Sequence, residues 1–370
     1  MKSKKRVALI FGGKSTEHEV SLQSATSVIN NIDQENIDLV LIGITKKGQW
    51  LLYDGPVSEI VTGKWEDIAK RSARVREITQ HHENSVRNIF YAIGAETKEH
   101  PIDVVFPVVH GNNCEDGTLQ GLLELSEIPY VGPGVLGSSV CMDKVFAKIM
   151  FEKAGIPSCK YLHFTRNDIE KNQQVILNNV EQELGYPCFV KPANAGSSVG
   201  VTKAYNSVEL TKALSIASKY DNKIMVEEFV DGREIECAVL GNENPQASVV
   251  GEVISGGDFY DYDMKYNSDT SKTVIPAQIE QEKSDLIRCY AKKAFLALGC
   301  KGLSRVDFFV HRKTGEILIN EINTLPGFTN ISMYPKMWEA TGICYKELIN
   351  KILDLAIQSF NDGKKKAIQD

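Results

Sequence analysis

Long apolar runs are missing from this chain of 370 residues. After the basic start Met-Lys-Ser-Lys-Lys-Arg6, the first apolar run extends only from Val7 to Phe11. A membrane span needs roughly 20 apolar residues and a signal peptide a longer h-region, so neither is expected. The eight cysteines, Cys114, Cys141, Cys159, Cys188, Cys237, Cys289, Cys300 and Cys344, include no Cys-x-x-Cys pair. That excludes a zinc ribbon and a thioredoxin-like motif. Free thiols in a reducing, cytoplasmic compartment are the expectation. An excess of positive charge is also lacking: the net charge is -6, a poor balance for holding nucleic acid. Internal repeats and long low-complexity segments are absent. What remains, 42% hydrophobic and 24% charged residues, is the composition of a globular protein, and the length suggests two or three modules.

The N-terminal pattern is that of an open parallel α/β sheet. An apolar strand, Val7–Phe11, ends in Gly12-Gly13. Thr16 and Glu19 have capping-box spacing, and a helical pattern continues to about Ile32 before a second strand at Leu39–Ile42. Another buried strand, Asp103–Val109, leads into His-Gly-Asn-Asn-Cys-Glu-Asp-Gly117. Residues 55–100, with His81-His82, are polar and carry little periodicity. The glycine- and serine-rich stretch Gly132–Ser139 marks a boundary. Beyond it, a helix at Met142–Ala154 precedes strands at Cys188–Lys191, Val199–Lys203, Lys223–Glu228 and Glu234–Leu240, with a helix near 207–219. Helix 281–298 comes before strands Leu303–Val310 and Glu316–Asn323, and a C-terminal helix covers Tyr345–Phe360. Between 256 and 272, aromatics mix with charges without core periodicity, as in a loop.

Gly13-Lys14-Ser15 resembles the end of a Walker A loop, but the required earlier glycine is replaced by Ala8. A glycine turn into a helix N-terminus remains, and such a turn favours anions.

Strand alternation puts Arg305 and Asp307 on one face of Leu303–Val310, and Glu321 and Asn323 on one face of the next strand. Folding about Thr314-Gly315 brings Asp307 opposite Glu321. Two close carboxylates raise each other's pKa unless a cation compensates. An oxygen-only set suits Mg²⁺ or Mn²⁺; the plain alternative is a surface face paired with Arg305. Upstream, Lys191 ends a strand and Ala-Asn-Ala-Gly-Ser-Ser-Val-Gly200 follows, a loop able to fold over phosphates. Carboxylates Glu227 and Glu234 follow on the next strands. They are candidate acceptors for adenine or ribose, or simply surface residues.

Six segments in order, Phe-Gly-Gly-Lys-Ser-Thr-Glu-His-Glu-Val-Ser21, His-Gly-Asn-Asn-Cys-Glu-Asp-Gly-Thr-Leu-Gln-Gly121, Cys-Met-Asp-Lys144, Lys-Pro-Ala-Asn-Ala-Gly-Ser-Ser-Val-Gly200, Phe-Tyr-Asp-Tyr-Asp-Met-Lys-Tyr266 and Asn-Glu-Ile-Asn-Thr-Leu-Pro-Gly-Phe-Thr329, resemble the ATP-grasp superfamily, and within it the D-alanine–D-alanine ligase family. Residues 55–100 match it least. The resemblance implies an α/β protein: an N-terminal Rossmann-like domain at 1–139, then an ATP-grasp fold of two α+β subdomains at 140–222 and 223–362, with a mobile loop at 256–272. It implies that ATP converts the first D-alanine to an acyl phosphate, which the amine of the second then attacks.

By the same resemblance, Glu17 holds the first substrate's ammonium, with Ser197 and Tyr266 as its partners. Lys144, Lys191 and Lys265 meet the phosphates; Glu227 and Glu234 meet adenine and ribose. Arg305 and the Gly327 N–H stabilise the oxyanion. Asp307, Glu321 and Asn323 hold two Mg²⁺ (or Mn²⁺) ions. Ser332 binds the second substrate's carboxylate, and His110 stands near that substrate or is structural. The segment Thr329-Asn-Ile-Ser332 departs from the family's Thr-Ser-His-Ser, beside the second-substrate pocket. Lys265-Tyr266, with no histidine in 256–272, favours D-alanine over D-lactate as acceptor; D-serine is the alternative. A catalytically silent nucleotide-binding protein on this fold would be expected to lose a metal ligand or Arg305, and none is lost. The partners implied are D-alanine, ATP and a second copy in a homodimer of the peptidoglycan precursor pathway, with no membrane and no nucleic acid.

Overall fold

The computed structural model describes residues 4–71, 90, 100–254 and 272–364. His81, His82, Lys265 and Tyr266 lie outside the described residues, as does all of the 256–272 loop except Lys272.

Three sheets organise the chain. The first is β3-β2-β1-β4, from β1 (Lys5–Gly12), β2 (Ile37–Ile44), β3 (Trp50–Tyr53) and β4 (Val104–Val109). β1 pairs in parallel with β2 and β4, as the alternation of strand and helix led us to expect, while β3 adds an antiparallel edge. Val7 through Phe11 are completely buried, which is why that run is continuous rather than alternating. Helix His18–Asn31 covers the sheet. It begins with Glu17 at the N-cap and no side-chain cap bond, and Glu19 pairs instead with Lys46, so the expected Thr16–Glu19 box does not set its start. The Glu17 side chain is thereby left to the site.

The central sheet is β5-β8-β6-β7, all antiparallel, from β5 (Tyr161–Thr165), β6 (Cys188–Pro192), β7 (Thr202–Ala204) and β8 (Lys223–Glu228). Strand Lys223–Glu228 therefore belongs with the central sheet, and the expected division at 222/223 would separate it from β5 and β6. Helices Arg166–Glu183 and Ser207–Ala217 cover one face. The first was not expected. Its only buried side chains, Ile169, Ile176, Leu177 and Val180, are too sparse to stand out, although Thr165 and Asp168 form a true capping box. Helix Val135–Met142 occupies the expected Gly132–Ser139 boundary, where glycine and serine mask helical propensity.

The third sheet is β11-β10-β9-β12-β13, from β9 (Gly232–Gly241), β10 (Gln246–Ile254), β11 (Lys272–Val274), β12 (Gly302–His311) and β13 (Ile317–Asn323). Ile235, Cys237, Val306, Phe308 and Ile319 pack on one face with helix Gln281–Ala297. At one end of the opposite face, Ala238, Leu240 and Leu303 join the core of the N-terminal sheet, together with helices Met333–Thr341 and Tyr345–Lys364. The rest of that face carries Glu234, Glu236, Arg305 and Asp307, so the site lies where the apolar cover stops.

Gly12 sits at φ +86°, and an added Cβ would overlap the carbonyl oxygen of Ile44, the atom that accepts from Gly13 N at 2.8 Å. Both strain and overlap oppose a side chain there. Gly12→Ala is expected to cost about 2–4 kcal/mol in urea unfolding; a change below about 0.5 kcal/mol would contradict this packing.

Candidate functional site

The hairpin of β12 and β13 has the expected register. Asp307 lies opposite Glu321 and Arg305 opposite Asn323. A bulge falls between Asp307 and Phe308: Phe308 faces Ile319 and Asp307 faces Glu321, which leaves Asn320 as the extra residue. The bulge lets Ile317 and Ile319 point into the core while Glu321 and Asn323 point to the site. Simple alternation would have put all four on one face.

Arg305 donates to both oxygens of Asp307, each at 2.7 Å, and its Nε lies 3.1 Å from Glu236 Oε2 on β9. The two neighbouring carboxylates raise the guanidinium pKa well above normal against the opposing effect of burial. Asn323 Nδ2 also donates to Asp307, at 3.0 Å. The pairing of Arg305 with Asp307 is thus real, but it is half-buried rather than a surface bridge. Glu236 was missed in the sequence, although strand alternation places it on the face of Glu234.

Lys144 approaches from the start of helix Lys144–Lys153. Asp143 caps that helix, accepting from Val145 N and Phe146 N at 3.1 Å each, and its other oxygen pairs with Lys223 at 2.6 Å. Lys144 Nζ donates to Ala195 O at 2.7 Å and lies 3.9 Å from Glu321 Oε2, linking the hairpin to the 193–200 loop. Lys191 projects from β6 and pairs with Glu227 of β8.

Glu227 differs from expectation. It is 2% exposed, and Lys148 holds its other oxygen at 2.7 Å. Cys159 Sγ donates to the same oxygen at 3.3 Å, and its thiol is pushed up to about 11, mainly by burial. Burial favours the neutral acid, but Lys148 and Lys191 overcome it and keep the carboxyl well below the usual range. The side chain is therefore committed to two lysines, not presented to an open pocket. Glu234, on β9, remains half-buried on the site face.

The 193–200 loop folds back on Glu17. Ser197 and Ser198 have φ of 48° and 58°, and Ser197 Oγ donates to Glu17 Oε1. Gly196 and Gly111 pass so close that a Cβ on either would stand 2.8 or 2.6 Å from Glu17 Oε2. Asn194 is fixed through N and Nδ2 to Asp221 Oδ2, at 2.8 and 3.0 Å.

His110 is 4% exposed. Its Nδ1 meets Leu325 O at 2.9 Å and its Nε2 meets Ser24 Oγ at 3.4 Å. Burial lowers its pKa, and the carbonyl partner requires the proton on Nδ1. Both ring nitrogens thus have protein partners. Ser332 stands at the N-cap of Met333–Thr341, with Oγ accepting from Thr329 N at 3.0 Å and close to Gly327.

Two carboxylates and an amide form a hard-oxygen donor set. Among the described residues no three His, Cys, Asp or Glu side chains converge into a ready cage. A partial set of this kind fits Mg²⁺, which keeps waters and takes further oxygens from phosphates.

A mixed α/β chain with a lysine-flanked loop above a carboxylate-bearing antiparallel sheet belongs to the ATP-grasp class. Two family models match: D-ala D-ala ligase N-terminus over residues 6–133 and D-ala D-ala ligase C-terminus over 150–354. The D-alanine–D-alanine ligase of Acetivibrio thermocellus is 55% identical, with 99% of each chain covered. That of Ruminiclostridium cellulolyticum is 57% identical, with 98% of each covered. Among solved structures, the Coxiella burnetii D-alanine–D-alanine ligase has TM-score 0.83 at 36% identity, covering 98% of this chain and 97% of that one. The VanG D-Ala:D-Ser ligase of Enterococcus faecalis has TM-score 0.82 at 38% identity, covering 96% and 100%. The chain belongs to the D-alanine–D-alanine ligase family.

Lys148→Met leaves Glu227 with one cation and is expected to cost about 3–5 kcal/mol at pH 7. Because the folded-state pKa of Glu227 is depressed, this stabilisation is present above the unfolded value near 4.5 and is lost as pH falls below it. Urea midpoints of variant and wild type should converge in acid. An unchanged gap from pH 7 to pH 3 would contradict the ion pair.

Proposed function

We propose that the protein joins two D-alanine molecules at the expense of ATP, through an acyl phosphate, to supply D-alanyl-D-alanine for peptidoglycan precursors. The observation that carries this is Glu17. Among the described residues its carboxylate meets a serine hydroxyl rather than a cation, and it stands beside a loop that faces the phosphate lysines. Glu17 takes the ammonium of the first D-alanine, with Ser197, and Tyr266 from the 256–272 loop, orienting it. Lys144 and Lys191 receive the ATP phosphates beside the 193–200 loop, and Lys265 joins them. Glu234 accepts from the nucleoside, while Glu227 serves by fixing Lys191.

The carboxylate oxygen of the first D-alanine attacks the γ-phosphorus and ADP leaves. A carboxylate is a poor electrophile, and phosphate makes it a good one. The amine of the second D-alanine then attacks the acyl carbon. Arg305 and the Gly327 N–H stabilise the oxyanion that forms, and phosphate departs with one of the original carboxylate oxygens. Ser332 holds the carboxylate of the second D-alanine. Asp307, Glu321 and Asn323 are the residues to hold two Mg²⁺ (or Mn²⁺) ions, which neutralise phosphate charge when bound. The protein works in the cytoplasm as a homodimer.

A second reading, D-serine as acceptor, draws on the likeness to the VanG D-Ala:D-Ser ligase. Phosphate release with ATP, Mg²⁺ and D-alanine tests the ligation, and product analysis with equimolar D-alanine and D-serine decides the acceptor. D-alanyl-D-alanine is expected to exceed D-alanyl-D-serine at least about 10-fold, roughly the discrimination one hydroxyl allows. With D-lactate added, no D-alanyl-D-lactate should form. Absence of D-alanine-dependent release would overturn the ligase reading, and preferred formation of D-alanyl-D-serine would move it to the second.

A further inference from the structure

The segment from Leu325 to Thr329 leaves β13 as irregular backbone, yet its peptides are tied from several elements. Leu325 O accepts from His110 Nδ1 at 2.9 Å, and Leu325 N donates to Glu115 Oε1 at 3.1 Å. Phe328 N donates to Ser24 Oγ at 3.3 Å, Phe328 O accepts from Tyr345 OH, and Thr329 N donates to Ser332 Oγ at 3.0 Å. Pro326 has no N–H. Among the described residues the Gly327 N–H is the one amide of this segment without a bond. Irregular backbone held at both sides of one unbonded N–H is a donor aimed and kept for something else.

Glu115 is the central tie. Its other oxygen accepts from Gly111 N at 2.7 Å, so one carboxyl joins the turn after β4 to the loop after β13. The same turn supplies His110, so the two consecutive peptides that flank the Leu325 Cα, one through its N–H and the next through its C=O, are gripped by residues five apart in sequence. Holding both peptides restrains the backbone torsions at Leu325, which a single bond does not. The half-buried setting and the Glu17 charge push the Glu115 carboxyl up to about 8. Its bonds to the Gly111 and Leu325 amides oppose that rise.

We infer that Glu115 is a positioning residue: with His110 it locks the two peptides that flank Leu325, and thereby aims the Gly327 N–H at the oxyanion formed in the ligation step. This rests on the reaction proposed above, but the lock itself does not.

Two variants and two readouts test it. Glu115→Ala removes both acceptors; Glu115→Gln keeps one carbonyl-type oxygen and turns an NH₂ toward the other donor. Deleting an oxyanion donor outright costs about 10²–10³ in rate, so loss of its alignment is expected to lower kcat about 10–100-fold in Glu115→Ala. Glu115→Gln should fall between Glu115→Ala and wild type, and the KM for ATP should stay within about 2-fold in both. Hydrogen exchange of the 325–329 amides should quicken at least about 10-fold in Glu115→Ala while the β12 amides stay protected. A folded Glu115→Ala with wild-type kcat would overturn the inference, as would a rise in the KM for ATP at constant kcat. Should Glu115→Ala fail to fold, wild-type kcat in Glu115→Gln overturns it equally. If the wild-type protein forms no D-alanyl-D-alanine, the proposed reaction fails, and the exchange measurement alone still decides whether Glu115 locks this loop.

Discussion

Carboxylates cannot be gathered in a half-buried site unless something offsets their repulsion, and this constraint organises the structure around the β12–β13 hairpin. Cations fixed by the fold answer four of them: Lys148 and Lys191 at Glu227, Arg305 at Asp307 and Glu236, and Lys144 near Glu321. Each cation comes from a different element from at least one of its partners, so the ion pairs also staple the central sheet, the helix after Asp143 and the third sheet together. Glu115 is held by backbone amides instead, one oxygen on Gly111 N and the other on Leu325 N. Glu17 has a hydroxyl in place of a cation among the described residues, which is why we propose it as the group that takes a substrate's ammonium.

The same pairs define what ligand binding must do. In the proposed reaction, phosphates arriving between Lys144 and Lys191 would compete with Glu321 and Glu227 for ammonium groups. Glu227 is too buried, and too firmly held by Lys148, to let Lys191 drift when that happens. Asp307 and Glu321 would become available to a divalent cation in the measure that, as we propose, Arg305 and Lys144 turn to substrate oxygens. A fold that stores its cations against its own carboxylates is thus organised in advance for a phosphorylated substrate, which lowers the reorganisation needed during reaction.

Much of this was legible in the sequence where side-chain chemistry and strand period coincide. Val7–Phe11 announces a buried parallel strand because both its faces are covered. The pair Asp307 and Glu321 follows from alternation about a tight turn. The bulge at Asn320 does not, since nothing local marks where β13 changes face. Helix Arg166–Glu183 is hidden because it buries few of its side chains, and helix Val135–Met142 because glycine and serine obscure it. Lys148 and Glu236 escaped because an isolated charge in sequence gives no sign of burial; only the three-dimensional packing reveals that one is 1% exposed and pinned to Glu227. His110 was visible but its role was not, because a histidine's function depends on which atoms meet its two nitrogens.

We propose that these features together activate a carboxylate by phosphoryl transfer. The most direct measurement uses D-alanine labelled with ¹⁸O in both carboxylate oxygens, with unlabelled ATP and Mg²⁺, and mass analysis of the released phosphate. An acyl phosphate requires each phosphate to leave with one oxygen from the first D-alanine, so the account predicts one ¹⁸O per phosphate. Unlabelled phosphate accompanying dipeptide formation would contradict it.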